Sequence, residues 1–532
     1  MREAFRKAVE NITTYGDTDV FPFPLENHMF FDRRDDVVEL LLNIHQNVNG
    51  ALQSYPPLTE SMLTAVGYNG FRWATQIDPL WNAYFLGLVI SIGDRIEAAR
   101  LDASKETVFS YRFKWDETEK TIFDKAYGWV GFQKKSVEKA RVRKYVLACD
   151  ISDFYPRIYH HRLDNALRKA TGNSYVCQHI MDLLMQFSKG VSYGLPVGGP
   201  AARLLSELLL NRVDRLLFSS GIEFCRFADD YHIFADSAED AYRILVFVSE
   251  KLLDNEGMLL QKAKTRVMSS GEFLGTSEFA VENEPETTEE AEGRAFLRLR
   301  LHYDPYSQTA VEDYESLKEQ LSHFDVIGML AREMRKSRIH QTLAKKLVSS
   351  VKHLDDPQRD AALVSLVENL PTLYPIFPSI MLVVKSLIAL IAPATRELAF
   401  ARVRELLRSG SHIALVPTHL AYAVRLLAHD NSDETDEILS RVYRETNNTA
   451  IRRDIILAMA RRNADYWVSD VTKSFATVTH WERGALIVAS FILADEGRHW
   501  RKSLKGSLTP LQALTKEWAA TKFNGKMWEI PV

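Results

Sequence analysis

A chain of 532 residues is too long to close around one core, so two or three domains are expected. Its 46% apolar and 26% charged content is that of an ordinary soluble protein, and a net charge of −4 excludes a generally basic nucleic-acid binder, leaving only local charge to make such a site. Three cysteines, Cys149, Cys177 and Cys225, lack CxxC spacing, which argues against zinc and a disulfide framework and fits a reducing, cytoplasmic setting.

No signal peptide begins the sequence. Tyr15 to Pro24, with Pro22 and Pro24, reads as extended. Asp35 to Val48 has helical periodicity through Val37, Leu40, Leu41 and Ile44, and Leu80 to Ile96 reads as an apolar helix. Val108 to Phe113 alternates as a strand, with Arg112 on the face opposite its aromatics. Lys134, Lys135, Lys139, Arg141, Arg143 and Lys144 stand against a single acid, Glu138. The run reads as a solvated helix face or as a track for a nucleic-acid backbone.

Tyr145 to Cys149 is a continuous apolar run suited to a buried central strand. It ends in Asp150, followed by Asp153 and the aromatics Phe154 and Tyr155. Ile158 to Phe187 is helical, with His160 and His161 read as capping or core residues. Gly194 to Pro200 is a Gly/Pro loop opening a helix through Leu204, Leu205, Leu208, Leu209 and Val213. Phe224 to Phe234 places two β-prone runs around Asp229 and Asp230, a tight hairpin with paired acids at its tip. Two such charges roughly 4 Å apart repel by about 4 kcal/mol at an effective dielectric of about 20. They are tolerated when solvated or when they hold divalent cations.

An amphipathic helix over 241–256 follows, then Gly257 to Thr265 and Phe273-Leu274-Gly275. Glu278 to Glu292 is rich in glutamate with little apolar content, an acidic linker. From about Ala295 onward helical patterns recur with short polar breaks, as in stacked paired-helix repeats. The longest apolar run, around Ile380 to Ile391, contains Lys385 and is too short for a bilayer, so no membrane partner is expected.

The order strand-acid, Gly/Pro loop into helix, hairpin with paired acids resembles motifs A, B and C of the reverse transcriptases. Gly257 to Thr265 is similar to motif D, and Phe273-Leu274-Gly275 to the primer-grip turn, motif E. The resemblance implies an α+β right-hand polymerase: fingers and a ferredoxin-like palm over 1–282, an acidic linker over 283–294, and an all-α helical-repeat domain over 295–532 in place of a thumb. It implies an RNA-directed-type DNA polymerase working through two Mg2+ ions, or Mn2+, held by Asp150, Asp229, Asp230 and the carbonyl of Ile151. Lys264 would protonate the departing pyrophosphate, and Arg112 would grip the triphosphate of the incoming dNTP. Tyr155 would lie beneath the sugar and exclude a 2′ hydroxyl. Val197 and Gly198 would line the nucleotide, with Val197 standing where the common pattern has Gln, so a side-chain contact to base or sugar is lost there.

Leu195 to Glu207, with Ser110-Tyr111-Arg112 upstream and the long helical C-terminal half, resembles the bacterial antiphage reverse transcriptases of the abortive-infection and unknown-group type. That resemblance implies phage defence by DNA synthesis, template-independent or primed by a tyrosine, with a homo-oligomer or a noncoding RNA as partner. Candidate primers are Tyr303, Tyr306, Tyr314, Tyr374, Tyr422, Tyr443 and Tyr466. The alternatives are a retron-type enzyme copying a partner RNA and a non-catalytic nucleic-acid scaffold, which the intact acid triad speaks against.

Overall fold

The computed structural model describes residues 1–172, 174–276, 288–299, 301, 310–336, 338–504, 506–523 and 528–532. Residues 283–287 of the expected linker, Tyr303 and Tyr306 lie outside the described residues, whereas Thr288–Arg298 is a helix. The chain divides into two compact units. The first comprises Met1–Asp19, Glu26–Thr59 and Thr75–Glu284, the second Val20–Leu25, Glu60–Ala74 and Pro285–Val532. Two short N-terminal segments thus group with the C-terminal helices, which a single cut near residue 282 does not anticipate.

Helices dominate both units, with six described strands among them. β1 (Thr59–Ala65) and β2 (Phe71–Ile77) form a two-stranded sheet; β3 (Tyr145–Asp150), β4 (Glu223–Phe227), β5 (Asp230–Ala235) and β6 (Arg266–Ser269) form a four-stranded one in the order β4-β5-β3-β6. Every neighbouring pair in the larger sheet is antiparallel. Four helices, Phe154–Arg157, His160–Thr171, Ser174–Phe187 and Pro200–Ser219, connect β3 to β4, and Ala238–Glu256 connects β5 to β6. The result is a split β-α-β arrangement with β3 at its centre, which is why Val146 and Leu147 are fully buried.

Phe109, Phe132, Val146, Cys225, Phe234 and Phe273 form a core cluster in this unit. His232 of β5 joins it, stacked on Phe132 with ring centroids 4.5 Å apart, its Nδ1 2.9 Å from Ser136 Oγ. Three local readings change. Val108 to Phe113 is not a strand: it makes only isolated bridges, Val108 to Arg226 and Phe113 to Phe123, because Tyr111 takes a left-handed φ of 46°. Phe273-Leu274-Gly275 is not a turn but lies in helix Ser270–Thr276, which buries Phe273 in the core. The helical stretch 158–187 breaks after Thr171, where Gly172 has φ 60°.

In the second unit, helices Phe377–Leu387, Pro417–Leu427, Thr449–Arg461, His480–Ala489 and Pro510–Phe523 each pack on the next. A second row, Asp356–Glu368, Pro393–Arg408 and Asp433–Glu445, alternates with the first along the chain. Ala450, Ile451 and Ile455 to Ala460 of the central helix are all buried, the all-round apolar character of an inner helix. Among the described residues, Leu370–Leu387 is apolar and long enough to cross a membrane by length and composition alone. It is interrupted by a 3-10 turn at Tyr374–Ile376, and over half of it is buried inside the unit.

Burial holds the His232 imidazole down at about 4, well below the usual histidine value. The folded state therefore binds fewer protons than the unfolded state between about pH 6.5 and 4, so this residue's contribution is intact above that window and is lost as pH falls through it. Urea denaturation of wild type and His232→Phe at pH 7 and pH 4.5 should show the wild type losing about 2 kcal/mol more than the variant on acidification. Equal losses would mean that His232 does not titrate as described.

Candidate active site

The first unit's acids converge because strand register and a short turn bring them together. Asp150 ends β3 and pairs in register with Asp230, which opens β5; Asp229 occupies the turn between β4 and β5. The Ile151 amide donates to the Asp229 carbonyl at 3.2 Å, and the Gln261 amide to the Asp150 carbonyl at 2.8 Å. The carboxyls are partly buried and repel one another. Burial and then the Asp150 charge push Asp229 up to about 6; burial, Asp229 and Asp150 push Asp230 up to about 7. One ammonium offsets this charge, Lys264 Nζ, which donates to Asp150 Oδ2.

Behind the turn the charges are balanced. Arg226 of β4 is wholly buried, with bidentate contacts to Asp214 (Nε to Oδ1 2.8 Å, Nη2 to Oδ2 2.6 Å) and to Glu207 (Nη1 to Oε1 3.1 Å, Nη2 to Oε2 2.8 Å). Its Nη1 also donates to the carbonyl of Ala228 at 2.8 Å, clamping a residue that takes φ 52° immediately before Asp229. Arg100 Nη2 reaches Glu207 Oε2 at 2.6 Å and the Ser110 carbonyl at 2.8 Å, and Ser110 Oγ donates to Glu207 Oε1 at 2.6 Å. Burial pulls the Glu207 carboxyl upward, but Arg226 and Arg100 outweigh it and hold the group below the usual range. None of these partners was assigned a role from sequence. A signal was present: Glu207 and Asp214 lie seven residues apart among Leu204, Leu205, Leu208, Val213 and Leu217, two acids on a buried helix face that require a buried cation.

Arg112 does not stand on a strand face but beside the left-handed Tyr111. Only 3% exposed, it spends Nη1 on Glu97 Oε1 (2.8 Å) and Nε on the Val108 carbonyl (3.2 Å), with Nη2 left, among the described residues, as its one nitrogen without a hydrogen-bond partner. Arg203 stands near Tyr155, over the Tyr111 ring at 5.4 Å and paired with Asp19 at 2.5 Å. Tyr155 is half-buried, and its carbonyl accepts from the Leu195 amide at 2.9 Å, tying it to the Gly/Pro loop. In that loop the Val197 carbonyl accepts from the Thr75 amide at 3.3 Å, and Gly198 takes φ 119°, a conformation that favours glycine. Ile151 is buried and bridges to Leu260. In the basic run, Lys135 pairs with Glu106 and Glu138, Lys139 with Glu223, and Arg143 with Glu223 and Asp236.

Among the described residues no three His, Cys, Asp or Glu side chains form a ready-made metal cage. The donor chemistry nevertheless suits a divalent cation. Asp150, Asp229 and Asp230 offer only hard oxygen donors, and their mutual repulsion is what such a cation relieves.

Removing one partner of a buried ion pair leaves the other charge uncompensated, at a cost of about 3–5 kcal/mol. Arg226→Met should therefore lower unfolding free energy by about that amount in urea denaturation, whereas the exposed Arg243→Met should change it by less than about 0.5 kcal/mol. Equal effects would remove Arg226 from its place as the support of the turn.

Residues 95–277 match the family model of the reverse transcriptase (RNA-dependent DNA polymerase), a span that holds Asp150, Asp229, Asp230 and the Arg226 cluster. Among solved structures, telomerase from Candida albicans in complex with a TWJ fragment of telomeric RNA is similar at 12% identity, covering 66% of this chain and 67% of that one with a TM-score of 0.28. Apo telomerase from Candida tropicalis is similar at 9% identity, covering 78% and 72% with a TM-score of 0.29. No curated protein matches the chain. Residues 95–277 are a reverse transcriptase domain, and the chain is accordingly an enzyme of the nucleotidyltransferase class.

Proposed function

We propose that this enzyme makes DNA from dNTPs as part of bacterial antiphage defence, adding nucleotides without copying a conventional template. The observation that carries the catalytic half is the meeting of Asp150, Asp229 and Asp230 at one end of the four-stranded sheet, within the reverse transcriptase domain. Asp150, Asp229, Asp230 and the Ile151 carbonyl would hold two Mg2+ or Mn2+ ions. When bound, such ions lower the pKa of the attacking 3′ hydroxyl and neutralise charge on the phosphates. Lys264, now on Asp150, is near enough to the acids to give a proton to the pyrophosphate as it leaves. Tyr155, tied to the Gly/Pro loop, would close the space a 2′ hydroxyl needs. Arg203 is better placed than Arg112 to meet the nucleotide.

The template-independent reading draws on Val197, whose side chain offers no hydrogen bond to a base and whose carbonyl is engaged by Thr75. The defence reading rests on the likeness of Leu195 to Glu207 and of Ser110-Tyr111-Arg112 to that group. If a tyrosine primes synthesis, accessibility favours Tyr466 among the described candidates. It is 63% exposed and donates to Asp436 at 3.2 Å, whereas Tyr374, Tyr422 and Tyr443 are buried. Three free, buried cysteines suit a reducing, cytoplasmic setting.

Purified protein given Mg2+ and one dNTP at a time, with no RNA, should yield homopolymer. Asp229→Ala with Asp230→Ala should reduce it by roughly 10³-fold or more. Product formed only when an RNA is supplied would favour the templated reading. Defence unchanged by the double substitution would favour a non-catalytic scaffold.

A further inference from the structure

The second unit contains a cleft of about 420 Å³ walled by helices Asp433–Glu445, Thr449–Arg461, Asp465–Thr472 and His480–Ala489. Its size is that of a small-ligand site. The floor is a fixed polar network. Glu482, 3% exposed, accepts from Arg452 Nε at 2.8 Å, from the Tyr443 hydroxyl at 3.2 Å, and from the Thr479 amide and hydroxyl at 3.2 and 2.9 Å. The Arg452 guanidinium lies 4.2 Å from the Tyr443 ring centroid, so it is held in place before any ligand arrives.

Among the charged residues of the lining, Arg444 and Arg452 stand against Asp470 and Glu482, and Asp470 has a further partner, Lys473, outside the lining. Glu482 is matched by Arg452, and Asp470 by Lys473 at 3.0 Å. Arg444 remains: it is exposed, its Nη1 donates to Ser440 Oγ at 3.2 Å, and among the described residues no carboxylate pairs with it. The rest of the lining is rich in neutral hydrogen-bonding groups, notably Asn447, Ser474 and Thr477. A planar guanidinium with spare donors beside a second, preorganised one suits phosphate oxygens, and the amide and hydroxyl groups suit a sugar or base.

We infer that this cleft binds a phosphate-bearing small molecule of nucleotide size, with Arg444 and Arg452 on the phosphate and Asn447 on the nucleoside. The site lies wholly within the second unit and stands apart from the polymerase reading. The full chain carrying Asp229→Asn and Asp230→Asn, titrated calorimetrically in EDTA, removes metal-dependent nucleotide binding at the acids from the measurement. Adenosine monophosphate should bind, and inorganic phosphate should bind more weakly. Arg444→Gln should weaken both by about tenfold or more and, the residue being exposed, leave the ligand-free melting temperature unchanged. Asn447→Ala should weaken adenosine monophosphate but not phosphate. No heat from either anion, or equal affinity in Arg444→Gln, would overturn the inference. So would binding of single-stranded DNA alone, lost in Arg444→Gln, which would make the cleft a contact for a nucleic-acid strand.

Discussion

A single buried guanidinium decides the geometry of the acid-bearing turn. Arg226 has five N–H donors, and its contacts to Asp214, Glu207 and the Ala228 carbonyl engage all three of its nitrogens. A left-handed alanine costs roughly 1–2 kcal/mol, and a charge-assisted hydrogen bond to its carbonyl in a buried site is of the size needed to hold it. The two bidentate contacts also fix how β4 meets helix Pro200–Ser219. The helix that follows the Gly/Pro loop and the turn that carries Asp229 are therefore parts of one rigid piece.

The two sides of that turn are charged in opposite senses of balance. Behind it, Arg226 and Arg100 face Glu207 and Asp214, two charges against two, all buried. In front, Asp150, Asp229 and Asp230 face Lys264 alone, and the raised carboxyls of Asp229 and Asp230 record the surplus. Stability is concentrated at the rear, where nothing needs to move, and repulsion at the front, where a ligand relieves it. Strained polar sites of this kind persist only when the structure around them is over-determined.

Legibility followed the range of the interaction. The run Tyr145 to Asp150 could be read as a central strand and Phe224 to Phe234 as a hairpin because alternation and turn chemistry are local, and the register of two strands then brings Asp150 to Asp230. Around Arg112 the same alternation suggests a strand with two faces, which the chain does not form. The left-handed Tyr111 removes those faces, and the arginine's partner, Glu97, lies fifteen residues upstream on a helix. The grouping of Val20–Leu25 and Glu60–Ala74 with the second unit was out of reach for a similar reason. The Pro-punctuated segment cannot pair its backbone in a helix, and the Val20 carbonyl takes its hydrogen bond from the Tyr422 hydroxyl at 3.2 Å, about 400 positions away. Glu60 likewise accepts from the Thr449 amide at 3.2 Å.

Lys264 connects the balanced and unbalanced halves of the site. Its ammonium holds Asp150, one of the acids that would hold the proposed divalent cations. An ammonium forms at most three directed hydrogen bonds and carries one charge, whereas a hard dication gathers several carboxylate oxygens at once. The lysine therefore steadies Asp150 without satisfying Asp229 or Asp230, whose carboxyls stay raised. Burial pulls the Lys264 ammonium down, but the Asp150 hydrogen bond and the charges of Asp150, Asp230 and Asp229 outweigh it and hold the group above its usual value. Under the proposed mechanism, neutralising those charges would lower the Lys264 pKa and make it a better proton donor than it is in the ion pair.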